Sequence, residues 1–467
     1  MTNPVERRFA AGYLGVSREL TALSAPIALT QLAQVALTTT DIVMMGWLGV
    51  AALAAGGLAI TLFNQLRTMG VGVVTVVGNL VAGADGRGAR SESAALSEQT
   101  RDEIRDIVRA GFLIATVAGF VGGMILIGLG YGLRFVGQDA AVLDAALPMM
   151  VALAPGLIPC LWFQLIRQFT VGMRRPKALL VITLLSVVVN AALNWAFIYG
   201  VAGLPALGLL GIGLSTSLVY LIVFGIFAVV VVRDPQLRPM FSVAMHKSSP
   251  ATVAKILRLG FPIAGTYGSE AGLFSVTAVI IGGFGAPALA AHTVVNQLAY
   301  IVFQVSVGIS HGSSILVSRV VGMGAAWRSR SIAWIALSHG AIVAGIVAVV
   351  YLVAPERVLS LFMERADATA VSIAVALLAV AMFQQFADSA QNIAIGLLRG
   401  VGDTKSSLGI TVVGYWVVGL PVGLVLAHLA GLGAVGMWLG LSAGLLTAAV
   451  LLIVTFTRRL RTLLSAE

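Results

Sequence analysis

Twelve apolar stretches, each long enough to cross a bilayer, follow one another along this chain with little between them. A crossing helix needs ~20 consecutive mostly apolar residues, because hydrocarbon offers no partner to an open backbone. The stretches fall near residues 20–47, 51–80, 108–133, 147–171, 178–200 and 208–232, then 259–285, 288–318, 332–355, 369–397, 407–428 and 433–457. Only 10% of the residues are charged, where a soluble domain carries about 25%. So few charges cannot cover a surface with water. The expected fold is therefore an all-α integral membrane protein of twelve transmembrane helices. The first run, Leu20 to Leu48, is too long for a signal h-region and is read as a retained span. The single cysteine, Cys160, excludes an internal disulfide and a cysteine metal cluster. No P-loop, nucleophile elbow or metal-ligand spacing occurs, so neither an enzyme nor a cofactor is expected.

The basic residues fix an orientation. Connections such as Gly46–Ala51 and Gly283–Pro287 are so short that the flanking helices must be antiparallel neighbours. Following that alternation, the Lys and Arg residues gather in the connections of one side, among them Arg399 with Lys405. The opposite side holds Arg134, Arg357 and Arg365, while Arg67 and Arg167 fall inside spans. Basic loops stay in the cytoplasm, so both termini are expected there, in a bacterial inner membrane. The formal charge of +10 then reports topology and lipid headgroups, with no nucleic-acid partner. Arg167 is read as snorkelling to the cytoplasmic surface. Arg67 could meet a carboxylate in its own lobe or a lipid phosphate.

The chain reads as two copies of one six-helix unit. LGVAALAAG at Leu48–Gly56 matches FGAPALAAH at Phe284–His292, a displacement of 236 residues that also puts Pro26 on Pro262 and Gly72 on Gly308. An even number of spans per copy makes the repeats parallel. The expected domains are an amino-terminal lobe, 1–232, a cytoplasmic linker, 233–258, and a carboxy-terminal lobe, 259–467. Two pseudo-symmetric bundles around a central cleft, acting as a monomer, is the architecture this implies. Within the linker, Ser249-Pro250 reads as the start of a short interfacial helix.

Three acids fall inside spans: Asp41, Glu270 and Asp388. A charge at mid-bilayer costs ~2.5–3.5 kcal/mol on insertion scales, so it persists where it has work to do. The bland reading is a neutralised acid that only joins helices. Polar stripes at helical spacing surround each acid. Gln34 and Thr38 precede Asp41, Thr266 and Tyr267 precede Glu270, and Gln384 and Gln391 flank Asp388. The fifth span offers Asn190 and Asn194, and the eighth His292, Asn296, Tyr300 and Gln304. Singly, such residues serve as interhelical glue. As stripes, they read as walls of a hydrated cleft. Histidines 292, 311 and 339 suit proton relay or plain packing.

With these residues in view, the chain resembles the multidrug and toxic compound extrusion family. The resemblance rests on PIALTQLAQVALTTTDIVMMG (Pro26–Gly46), GFPIAGTYGSEAGLFS (Gly260–Ser275), AAHTVVNQLAYIVF (Ala290–Phe303) and DSAQNIAIGLLRGVGDTK (Asp388–Lys405), with NAALNWAFIYGVAGLPALGLLGIG (Asn190–Gly213) beside them. Acids at all three positions are similar to the NorM-like branch. The resemblance implies an antiporter that expels cationic amphipathic drugs while H+ or Na+ enters, with membrane lipid around it. Asp41 then corresponds to the amino-lobe acid, and Glu270 with Asp388 to the carboxy-lobe pair that would hold the coupling ion. Pro26 matches the family's first-span proline, where bending is associated with switching. One position departs: some relatives carry an aromatic ring one turn before the tenth-span acid, where this chain has Gln384. The competing readings are a lipid-linked oligosaccharide flippase, which calls for a basic cavity, and a membrane-embedded transferase, which calls for paired acids with Mg2+.

Overall fold

Uninterrupted apolar sequence becomes uninterrupted helix. The computed structural model describes residues 4–90, 97–136, 140–201, 205–363 and 368–465, and no strand occurs among them. Arg365 and Ala202–Leu204 lie outside the described residues. The first copy comprises α1 (Pro4–Trp47), α2 (Val50–Gly88), α3 (Glu98–Gly132), α4 (Ala140–Leu153), α5 (Leu157–Gly172), α6 (Lys177–Tyr199) and α7 (Leu209–Arg233). The second comprises α8 (Pro250–Gly282), α9 (Ala286–Gly322), α10 (Ser329–Val353), α11 (Pro355–Met363), α12 (Ala368–Gly400), α13 (Thr404–Val412), α14 (Leu420–Leu424) and α15 (Gly433–Leu464). α4 and α5 join through one tight turn, Ala154–Gly156, into a single span. α13 and α14 likewise form one span with the π-helical stretches Val413–Gly419 and Val425–Leu429.

Among the described residues, eleven spans are long and apolar enough to cross a membrane by length and composition. The twelfth is α8, whose 33 residues include Lys255, Arg258 and Glu270. Several helices outrun the apolar stretches that predicted them. α2 continues to Gly88, α3 begins at Glu98 and α15 runs to Leu464. Their polar ends can project into water, where charged side chains cost nothing. Ser249-Pro250 does not open a separate interfacial helix. Pro250 is the first residue of α8 itself, where its missing N–H costs nothing and its fixed φ suits the helix.

The copies share their turns. Gly49 and Gly285, related by the repeat displacement, both take φ of 105°, a region that only glycine enters cheaply. Each glycine reverses the chain between the first two helices of its copy.

Contacts divide the chain into two compact units that do not follow the linker. One unit is Met1–Ala28 with Gly265–Glu467, and the other is Leu29–Ala264. The divisions fall inside α1 and α8, two residues beyond Pro26 and Pro262. In the first unit, α12 packs on α9 and α15. A Cβ on Gly396 would meet the Ser310 carbonyl oxygen at 2.4 Å, while Ser310 Oγ donates to Asn392 O (2.7 Å) and Ser318 Oγ to Gly400 O (2.9 Å). Small residues and hydroxyls bring helix backbones together where lipid gives no hydrophobic drive.

In the second unit the inter-copy linker is strapped to α3. Arg105 donates twice to Pro239 O, at 2.9 and 2.6 Å, and Arg109 Nε to Ser242 Oγ at 3.0 Å. The Phe241 ring lies 5.8 Å from Phe112 and 6.4 Å from Phe169. Asp106 accepts from Ser249 N (2.8 Å) and Thr252 Oγ1 (2.5 Å), capping α8 from another helix. Asp234, at the end of α7, is desolvated, which raises its pKa. The N–H groups of Gln236 and Leu237 and the Arg175 guanidinium outweigh that and hold it below the usual carboxylate range.

Candidate cation sites in the two units

Asp41 is 3% exposed in the interior of its unit. Asn194 Nδ2 donates to its Oδ1 at 2.7 Å and Thr216 Oγ1 to its Oδ2 at 3.3 Å. α6 presents Asn190 one turn before Asn194, and the two amides bond at 3.3 Å. The predicted residues Asp41, Asn190 and Asn194 therefore do come together. Thr216, on α7, was missed; it lies in the consecutive run Ser215-Thr216-Ser217, which forms no helical stripe to read. Gln34 and Thr38 line a cavity of about 20 Å³ with Arg67, Ser186 and Tyr220, little more than one water's room. Arg67 Nε donates to Asn64 Oδ1 at 3.1 Å and faces this interior. Arg167 does not snorkel: it is 3% exposed and donates to Gln164 Oε1 at 3.2 Å.

The second site lies within the other unit. Glu270 and Asp388 are each 8% exposed. Glu270 lies within electrostatic reach of Asp388, with the Tyr415 hydroxyl and the Asn392 amide beside its carboxyl. Asn392 Nδ2 donates to Asp388 Oδ1 at 3.3 Å. Gln391 Nε2 donates to Tyr415 OH at 2.5 Å. Tyr415 went unread because its span looks uniformly apolar. It sits in the first π-helical stretch, a distortion frequent at functional sites because it re-aims side chains. That span also lies against α15 with no room to spare: a Cβ on Gly440 would come within 2.2 Å of the Gly423 backbone.

Other predicted residues serve elsewhere. Gln384 accepts from Ser442 Oγ at 3.2 Å, tying α12 to α15. Tyr300 is 42% exposed and stacks on Phe303 at 6.0 Å. Asn296 is half-buried. Tyr267 accepts from Arg399 Nη1 at 3.2 Å. His292 Nδ1 accepts from Trp438 Nε1 at 3.0 Å, which satisfies it as a packing residue. Pro26 lies inside α1 and Pro262 inside α8. Arg399 belongs to no loop: it is 3% exposed, in the last turn of α12.

Both sites have the same chemical character. None of the three carboxylates has a Lys, Arg or His within salt-bridge distance among the described residues. Several buried oxygens around them, Asn194 Oδ1, Glu270 Oε1 and Gln391 Oε1, accept no hydrogen bond. Oxygen-rich, anionic and unpaired, these sites suit a proton or a hard monovalent cation.

Known proteins place this architecture. The family model MatE matches twice, over residues 26–196 and 262–425, each match beginning at one of the repeat-related prolines. The chain is 36% identical to "Probable multidrug resistance protein NorM" of Pseudomonas aeruginosa over 93% of its own length and 88% of the relative's. It is 34% identical to the protein of that name in Mesorhizobium japonicum, over 95% and 94%. Among solved structures, an outward-facing conformation of a multidrug resistance MATE family transporter superimposes with a TM-score of 0.84, at 17% identity, covering 96% of each chain. The crystal structure of the eukaryotic MATE transporter AtDTX14 does so with 0.83, at 17% identity, over 97% of this chain and 99% of that one. A two-copy match across most of the chain, with relatives above 30% identity along nearly its full length, means that this protein belongs to the multidrug and toxic compound extrusion family as a NorM-like, non-enzymatic, multi-pass multidrug efflux transporter.

Proposed function

We propose that this transporter exports cationic amphipathic compounds in exchange for H+ or Na+ by alternating access. One observation carries the reading: three buried carboxylates with no basic partner within salt-bridge distance among the described residues. A buried charge without a partner is costly, so a proton or a mobile cation has to offset these acids, the Glu270–Asp388 pair sharing one. Asp41, with Asn190, Asn194 and the stripe Gln34–Thr38, serves the substrate side. Glu270 and Asp388, with Gln391 and Tyr267 nearby, hold the coupling ion. Coupling ion and organic cation need the carboxylates in opposite charge states, so they favour different conformations, which is what exchange requires. Each charge crossing 100 mV contributes about 2.3 kcal/mol, enough for one or two ions to drive accumulation.

The protein works as a monomer in the bacterial cytoplasmic membrane with both termini inside. The repeats serve as amino-terminal (1–232) and carboxy-terminal (259–467) lobes, and Pro26 as a switching point. A flippase for lipid pyrophosphates calls for a basic cavity, and acids outnumber bases at these sites. Purified protein in liposomes, given a pH gradient or a Na+ gradient separately, tests the reading. Uphill movement of an organic cation under one of them is expected, and movement under neither contradicts it.

A further inference from the structure

Arg399 is a buried guanidinium that the exchange mechanism has not yet used. It projects from the last turn of α12 and is 3% exposed. Nε donates to Ser314 Oγ on α9 at 3.1 Å, Nη1 donates to Tyr267 OH on α8 at 3.2 Å, and Nη2 has no acceptor. No carboxylate lies within salt-bridge distance of it among the described residues. The nearest acid in sequence, Asp403, instead caps α13 and faces Arg459 at 3.7 Å.

The position of this charge is specific. On α12, Arg399 follows Asp388 by about three turns, so the two share a helix face. On α8, Tyr267 precedes Glu270 by about one turn and also shares a face with it. The same two helices therefore carry the acid pair at one level and the guanidinium with its tyrosine partner at another. Among the described Lys, Arg, Asp and Glu residues of this unit, only Glu270, Asp388 and Arg399 are buried. With both acids ionised, that interior carries two negative charges and one positive.

Resting on the antiport reading above, we propose that Arg399 is the fixed counter-charge of the Glu270–Asp388 pair, so that one monovalent cation, not two, completes the neutralisation of this unit. The low-dielectric interior penalises any net charge. With Arg399 in place, a single H+ or Na+ brings the unit to neutrality and releases the organic cation. Its bonds to Tyr267 and Ser314 also tie α8, α9 and α12 together about three turns along α12 from Asp388. Neighbouring helices contribute His311, His339 and Tyr415 as further ionisable groups. His339 bonds Ser17 and Tyr415 bonds Gln391, so neither partners Arg399.

The test is the slope with which a coupling cation displaces bound tetraphenylphosphonium from the purified full-length protein, titrated with H+ and with Na+. Wild type and Arg399→Lys should give a Hill slope near one. Arg399→Gln should steepen it toward two and shift half-displacement to lower cation concentration. The double variant Arg399→Gln/Asp388→Asn restores the charge count and should return the slope to one, even if Arg399→Gln alone folds poorly. An unchanged slope in Arg399→Gln, or a Lys variant that behaves like Gln, overturns the counter-charge. Displacement insensitive to both ions in the wild type contradicts the antiport reading instead.

Discussion

Gly308 of α9 lies so close to α1 that a β-carbon on it would stand 2.6 Å from the Cβ of Ala28. The repeat displacement maps this contact onto a second one, where a β-carbon on Gly72 of α2 would stand 2.7 Å from the Ala264 Cα of α8. In each case the second helix of one copy grips the first helix of the other, just past its proline. This exchange explains why the compact units divide at Ala28 and Ala264 rather than at the linker.

Replacing either glycine by valine should lower the thermal stability of the detergent-purified protein. Overpacking a tight contact costs about 1–3 kcal/mol. Gly57→Val is the control, since nothing lies within 4 Å of a β-carbon there. Equal melting temperatures for all three variants would show that the close approach does not matter.

The Asp106 cap makes a second prediction. Asp106→Ala removes both acceptors at the start of α8 and should cost ~1 kcal/mol, the usual worth of a helix cap. Asp106→Asn keeps an acceptor and should retain most of it. Limited proteolysis across residues 234–249 provides the readout, with faster cleavage expected in the alanine variant. Unchanged cleavage would mean that the aromatic contacts of Phe241 hold the linker alone.

Much of this was legible in the sequence because its causes are local. Span length and the repeat are written in hydropathy and spacing, and the acids with their Asn190–Asn194 partners follow helical periodicity. What was illegible depends on partners distant in sequence or on departures from that periodicity. Arg399 reads as a loop residue because nothing nearby says that α12 continues to Gly400. Arg167 reads as snorkelling, although it is buried and donates to Gln164 within the interior. Tyr415 is aimed inward by a π-helical stretch that a 3.6-residue period does not describe. Gln384 shares a face with Asp388, yet Ser442 claims it from α15. The exchange of first-helix segments leaves no local signal at all.

Orientation is tested by accessibility. In a background lacking Cys160, a single cysteine near either terminus should resist an impermeant thiol reagent in intact cells and react after permeabilisation. Labelling in intact cells would reverse the topology drawn from the basic loops.

Asp41→Asn should abolish resistance to cationic drugs while leaving membrane expression near normal, because the amide keeps the shape and loses the charge. Thr216→Val should weaken transport more mildly, by the ~1 kcal/mol of one hydrogen bond, or several-fold in apparent affinity. Efflux near the wild-type rate in Asp41→Asn would reduce this acid to a packing role.

The central claim is that Glu270 and Asp388 hold one coupling cation together. Groups that act as a unit are not additive when removed. Ion-driven efflux of an organic cation from proteoliposomes, measured for wild type, Glu270→Gln, Asp388→Asn and the double variant, tests it directly. Each single variant should lose most coupled transport, with the double little worse than either. If the two losses multiply, the acids serve separate steps and the shared cation site is wrong.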